Sequence, residues 1–308
     1  MTVRASRLLG SAFVASCVAF AQSSGIVVTS ASSFAPGLPP VGSIGTIFCA
    51  GLKITGTTAA TGTPLPLTLA GVTVAFDGTA APLLAVADLG GYQQINFQVP
   101  VPSASQVVVE QDGVKQSAPV AQNPDAPGDF FQFSGTNYGV FQHATDYSLV
   151  TSANPARPGE TVIAYATGLS PVTPSVPLGQ PAPASPLSHV TQVNYNGMDM
   201  TGISVDGSTP GSCGKTIFNC DLGFLLMDYV PPGTFGDTTG QLPIPFMGLA
   251  PGMVGVYQIN FVLPQGLRSG EVPIRLVRQK CLGMPGQSCG APANILYFTG
   301  QKALMPIQ

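Results

Sequence analysis

Tyr257-Gln258-Ile259-Asn260-Phe261-Val262-Leu263-Pro264 and Gln94-Ile95-Asn96-Phe97-Gln98-Val99-Pro100 are two versions of one short segment. Both read Gln-Ile-Asn-Phe, two further residues, then Pro. In the second, Ile259, Phe261 and Leu263 alternate with Gln258 and Asn260. A period of two predicts a strand with one face in a core and one toward solvent. Proline has no N–H to give a ladder, so it should end the strand. The two segments are therefore expected to be equivalent core strands of two related β-domains.

Working outward, the flanks repeat as well. Ile47-Phe48-Cys49-Ala50-Gly51-Leu52 matches Val162-Ile163-Ala164-Tyr165-Ala166-Thr167-Gly168-Leu169, with the glycines 117 positions apart. Val74-Ala75-Phe76-Asp77-Gly78 matches Val193-Asn194-Tyr195-Asn196-Gly197 at an offset of 119, and the Gln-Ile-Asn-Phe segments are offset by 164. The jump of 45 places an insertion in the second copy, over about residues 206–251. Asp77-Gly78 and Asp112-Gly113 lie between apolar runs, and Asp-Gly is a strong hairpin signal because both residues tolerate positive φ. Short strands with turns every ten residues or so argue for β-sandwiches. The expected fold is all-β: an extended lead-in over 22–43, a first domain over 44–117, a connector hairpin over 118–158 and a second domain over 159–308. The connector carries Phe130, Phe131, Phe133, Tyr138 and Phe141, so it is expected to be ordered.

Residues 1–21 read as a signal peptide. Arg4 and Arg7 precede an apolar run from Leu8 to Phe20, and Ala19-Phe20-Ala21 gives a small-x-small cleavage pattern before Gln22. Cleavage between Ala21 and Gln22 would leave a secreted, cell-surface or periplasmic protein. The alternative is a lipobox, Val14-Ala15-Ser16-Cys17, with a lipid on Cys17. No later stretch is long and apolar enough for a transmembrane helix. Losing two arginines takes the net charge from −3 to −5, which disfavours nucleic acid as a partner. Only 8% of residues are charged, against 37 glycines and 30 prolines, a composition poor in material for long exposed helices. In an exported chain cysteines are read as disulfides; Cys213, Cys220, Cys281 and Cys289 are the candidates, with connectivity open. Cys49 lies in an apolar strand and is expected to be a buried free thiol.

Motifs that carry chemistry are sparse, and no catalytic, cofactor-binding or metal-binding residue is assigned. His143 and Asp146 could suggest a hydrolase, but no Gly-x-Ser-x-Gly elbow is present, and a nucleophile beside His143 would be needed. His189 has no evident partner. The aspartates lack calcium-loop spacing and the cysteines lack zinc-finger spacing. Tyr138, Tyr147 and Tyr229 could serve a sugar, in a chain without tryptophan. The insertion is rich in apolar residues, and Phe224, Leu225, Leu226, Tyr229, Phe235, Phe246 and Met247 are the candidate partner-binding residues. They either form an exposed patch or fold back as a satellite core.

The chain resembles a family of secreted C-terminal domains abundant in Acidobacteria of the Solibacter type, whose domains look like the IPT/TIG branch of immunoglobulin-like folds. The residues that carry the likeness are Ala31-Ser32-Ser33-Phe34, Gly45-Thr46-Ile47-Phe48, Gly51-Leu52, Phe76-Asp77-Gly78, Ala81-Pro82-Leu83-Leu84, both Gln-Ile-Asn-Phe strands, Asn154-Pro155-Ala156, Pro158-Gly159 and Tyr165-Ala166-Thr167-Gly168-Leu169. The chain departs from the pattern at Cys49, where glycine is commoner, and in its Cys-bearing insertion and final loop. The resemblance implies two tandem immunoglobulin-like β-sandwich domains and brings no catalytic residues. The expectation is a non-enzymatic binding or adhesion module for a protein or cell-envelope component, with a carbohydrate-binding protein as the alternative and a secreted hydrolase as a remote third.

Overall fold

In the computed structural model the described residues are 25–122, 128–169, 171–190, 199–205, 224–227, 244–263, 265, 267, 269–281 and 295–308. Among them there is no helix, and the ladders described below run antiparallel. In chain order the first ten strands are β1 (Val27–Ser30), β2 (Ile44–Cys49), β3 (Thr57–Ala59), β4 (Thr68–Leu69), β5 (Val72–Phe76), β6 (Thr79–Ala80), β7 (Leu83–Asp88), β8 (Gln93–Gln98), β9 (Gln106–Gln111) and β10 (Val114–Pro119). Then follow β11 (Asp129–Phe130), β12 (Phe141–His143), β13 (Thr161–Thr167), β14 (Val172–Thr173), β15 (His189–Val190), β16 (Asp199–Val205), β17 (Phe224–Met227), β18 (Phe246–Leu249), β19 (Tyr257–Val262), β20 (Gly270–Cys281), β21 (Ile295–Thr299) and β22 (Ala303–Ile307).

The chain forms two compact units, neither of them one continuous stretch. The first takes the chain up to Pro124 together with Thr167–Ser188 and Leu249–Val256; the second takes Asp125–Ala166, His189–Gly248 and Tyr257–Gln308. Of the connector read from the sequence over 118–158, residues 118–122 thus belong to the first unit and 128–158 to the second. There Phe131 N–H donates to Tyr165 O, Gly139 N–H to Leu304 O, and Ala156 N–H to Pro306 O.

The first unit holds two sheets, ordered β1-β2-β8-β7-β3 and β10-β9-β5-β4, with β6 on β5. Ile47, Val86, Ile95 and Phe97 from one sheet and Val72, Val74, Phe76, Val107 and Val109 from the other share one hydrophobic core. That is sandwich-like packing, and it places the period-two apolar residues of both sheets inside. Phe76 and Phe97 stack with centroids 5.0 Å apart. Both Asp-Gly turns take the expected conformation, with φ of 45° and 84° at Asp77 and Gly78 and of 52° and 79° at Asp112 and Gly113. The first hairpin is shorter than the sequence suggests. It pairs β5 with the two-residue β6, and β7 then joins the other sheet. Pro82 lies at the crossing and cannot extend the first ladder.

The two copies of the repeat pair in one register. In the first, Gly45, Thr46, Ile47 and Phe48 of β2 face Phe97, Asn96, Ile95 and Gln94 of β8. In the second, Val162, Ile163, Ala164 and Tyr165 of β13 face Phe261, Asn260, Ile259 and Gln258 of β19. Each β2 residue maps onto β13 at the offset of 117, and each β8 residue onto β19 at 164. A side-chain bond repeats too: Gln94 Nε2 donates to Asn96 Oδ1, and Gln258 Nε2 to Asn260 Oδ1, each at 2.9 Å.

The copies differ in burial. β19 alternates buried and half-buried residues, as its period of two predicts. β8 is buried along its whole length, contrary to the expected half-exposed strand. At its Gln98 end β8 meets chain from the second repeat that completes the first unit. Gly179 N–H donates to Gln98 Oε1 at 2.6 Å, Ile44 N–H donates to Thr167 Oγ1 at 2.8 Å, and Thr167 Oγ1 donates to Gly255 O at 3.1 Å. Each buried amide is met: Gln98 Nε2 donates to Gly42 O, Thr46 Oγ1 donates to Asn96 Oδ1, and Gln93 Oε1 accepts from Leu52 N–H. Burial of polar groups is tolerable only with such partners.

Gly45 is a tight point in the core of the first unit. A Cβ built there would stand 2.5 Å from Phe97 Cζ, because the Phe97 ring lies flat over the glycine across the ladder. We expect Gly45→Ala to push the ring off Phe76 and to lower stability by about 1–3 kcal/mol, as overpacked cores do. Urea denaturation checks this; an unchanged midpoint would mean that Phe97 has room to move.

Candidate functional site

His143 is the group that sequence reading left as a conditional catalyst. β12 pairs with β13 through His143 and Val162, and the side chain is buried. Its Nδ1 lies 3.0 and 3.1 Å from the two carboxylate oxygens of Glu160, and its Nε2 lies 3.3 Å from the carbonyl oxygen of Asn154. Glu160 Oε1 also accepts from Arg157 N–H. Both ring nitrogens therefore meet acceptors, and the one that a triad would turn toward a nucleophile is met by a backbone carbonyl. The arrangement ties β12, the loop at Asn154 and the start of β13 together. Asp146 instead accepts from Ser148 N–H at 2.9 Å in the turn after β12, and that bond holds its carboxyl below the usual carboxylate range.

The other titratable groups serve the fold in the same way. Asp77 accepts from the backbone N–H and hydroxyl of Ser105 and from Gln106 N–H; the Ser105 bonds in particular lower its pKa. Asp129, which the sequence suggests is a surface turn residue, is buried and accepts from Gln301 N–H. Tyr138 donates its hydroxyl to Glu271, whose carboxylate pushes the phenol up. Among the described residues no group of three or more His, Cys, Asp or Glu is placed to hold a metal ion, and no helix is long and apolar enough to cross a membrane.

The candidate partner-binding residues divide. Phe246 and Met247 lie on β18 and are buried, at 8% and 2% exposure, so they face the interior rather than an open patch. His189 is exposed and stands edge-on to Phe246 with centroids 5.2 Å apart. Phe224, Leu225 and Leu226 belong to β17, which pairs with β16. Tyr229 and Phe235 lie outside the described residues, as do Cys213, Cys220, Cys289, the Ala21–Gln22 junction and Val193–Gly197. Cys281 ends β20 opposite Ile295.

A cluster that sequence reading did not assemble lies on the second unit. Gln142 donates from Nε2 to Tyr147 O at 2.9 Å and accepts from Tyr165 Oη at 2.9 Å. Across the ladder Tyr165 faces Gln258, beside the Gln258–Asn260 pair. Burial, and then the neighbouring Tyr147, raise the Tyr165 pKa. Tyr147 itself is 63% exposed. The contacts of Tyr165 with Gln142 and Gln258 join residues far apart in sequence, and the signal in the sequence is Tyr147 as one of three tyrosines that could serve a sugar.

No family model, no curated protein and no solved structure matches the chain.

Cys49 is a buried free thiol whose pKa burial pushes from 9.0 to about 11. Since the thiolate is the nucleophile, we expect mass-spectrometric peptide mapping to find Cys49 unlabelled by iodoacetamide in the folded protein at about pH 8 and labelled in urea. The folded state holds this proton more tightly than the unfolded chain. Its contribution to stability is therefore complete below pH 9.0 and is lost as the pH rises toward about 11. Replacing Cys49 with Ala should flatten that alkaline part of the stability profile.

Proposed function

We propose that this protein is an exported, non-enzymatic binding module built from two immunoglobulin-like, IPT/TIG-like β-sandwich domains in tandem, and that it recognises a protein or cell-envelope component through its loops. Support for the tandem comes from the shared register of the β2–β8 and β13–β19 pairs and the repeated Gln–Asn bond. The observation that carries the functional reading is the state of His143, the best candidate for catalysis. It is tied by Glu160 and Asn154 into the frame of its own unit. Loops carried on rigid sheets are the usual place for recognition, and Leu67, Tyr147, Leu178 and Leu187 are exposed there. A carbohydrate partner is the second reading, favoured by the exposed aromatic at Tyr147.

The test compares the protein lacking its leader with a variant in which residues 206–243 are replaced by a short Gly/Ser loop. The replacement stops there because Ile244 and Phe246–Ala250 are buried. Both are used to capture material from the envelope and medium of the producing cell. We expect a partner held by the full protein and lost by the trimmed one. Equal capture would move recognition to the sheets or the 128–158 segment, and no capture of protein or glycan by either form would defeat the reading. Export is checked by the N-terminus of the protein from the cell, expected at Gln22; an acylated Cys17 would show the lipobox instead.

A further inference from the structure

Tyr147 occupies a position that the fold alone does not ask it to fill. Its φ is 61°, in the left-handed region, where glycine or asparagine is at ease and a bulky side chain is strained. The conformation is held by Tyr147 N–H donating to His143 O and by Gln142 Nε2 donating to Tyr147 O, both at 2.9 Å. These bonds use the backbone of Tyr147 and would hold any residue. The residue is 63% exposed, so little of the usual gain from burying an aromatic offsets the strain. A strained, rigidly held and solvent-facing aromatic is the kind of outlier that points to a contact outside the chain.

Its surroundings specify the chemistry. Gln142, Tyr165, Gln258 and Asn260 share one face of the β12–β13–β19 ladder, since Gln142 faces Ile163, Ile163 faces Asn260 and Tyr165 faces Gln258. The Gln258–Asn260 bond takes up Nε2 of one amide and Oδ1 of the other. Gln258 Oε1 and Asn260 Nδ2 are left as an acceptor and a donor side by side, the pattern that meets neighbouring hydroxyls, each of which both donates and accepts. The first copy carries the same amide pair, but there Gln94 and Asn96 are 4% exposed each. In the second copy both amides are half-buried, on a strand whose other face fills the core. Asp146 adds a carboxylate next to Tyr147, which disfavours an anionic ligand.

We propose that Tyr147, Gln258 and Asn260 form a binding site for a neutral saccharide, the tyrosine ring receiving the C–H face of a pyranose and the two amides its hydroxyls. Gln142 and Tyr165 are positioning residues that fix the Tyr147 turn and the floor beside it. The assignment rests on the reading of the protein as a binding module and adds to it a saccharide site that lies outside residues 206–243.

The experiment measures binding of the full chain without its leader to immobilised chitohexaose, cellohexaose and xylohexaose. The wild type is expected to be retained by at least one of them. Tyr147→Ala should weaken that binding by at least about tenfold, as loss of an aromatic anchor does. Tyr147→Asn removes the ring while relieving the positive φ, so it should weaken binding equally while melting no lower than the wild type. Tyr147→Phe should bind within about threefold of wild type, and Gln258→Ala with Asn260→Ala should lose the preference among the three sugars. Val114→Ala, exposed on the first unit, should change nothing. Retention that survives Tyr147→Asn, or no retention of the wild type on any sugar, overturns the proposal. If the wild type fails on sugars yet captures an envelope protein that the trimmed variant loses, this site falls while the binding-module reading stands; if it captures neither, both fall.

Discussion

The structure depends on one antiparallel pairing, used twice. In each unit a strand that leads into Gly-Leu lies beside a Gln-Ile-Asn-Phe strand, with the phenylalanine and isoleucine inward and the amides outward. A slip of one residue would carry Gln and Asn into the core and Phe out of it, so the register is fixed by the sequence pattern itself. Phe97 shows how much else follows from it. The ring can stack on Phe76 because its ladder partner is Gly45, and the sheets of the first unit meet over that stack.

Whatever rests on local pattern could be read from the chain alone. The two Asp-Gly turns, the alternation in β19, the buried thiol of Cys49 and the offset between copies are all set by neighbouring residues. Whatever rests on distant chain could not. β8 carries the same alternation as β19, yet its amides are buried, and Gly179, 81 residues on, is brought to the last of them, Gln98. Asp129 looks like a turn residue until Gln301 is brought to it. Phe246 and Met247 look like a sticky patch until β18 is placed in a sheet.

The two copies also set one motif in two surroundings. A Gln–Asn pair on a strand is a fixed array of one donor and one acceptor beyond its internal bond. Under a cover that satisfies it, the array is part of the fold's hydrogen-bond accounting. Left half-open, it becomes an oriented polar edge on a rigid sheet, the support that a recognition site needs.

The composition of the first unit from three pieces of chain has a consequence in time. As the protein emerges from the ribosome, β1 to β10 arrive together, but the segment that meets Gln98 and Ile44 comes only with residues 167–188, and its companion at 249–256 comes nearly last. The earliest-made half therefore cannot reach its final state before most of the later half exists. Contacts this distant in sequence are slow to close. The unit waits, with its amide-lined face wet, for chain that has not yet been made.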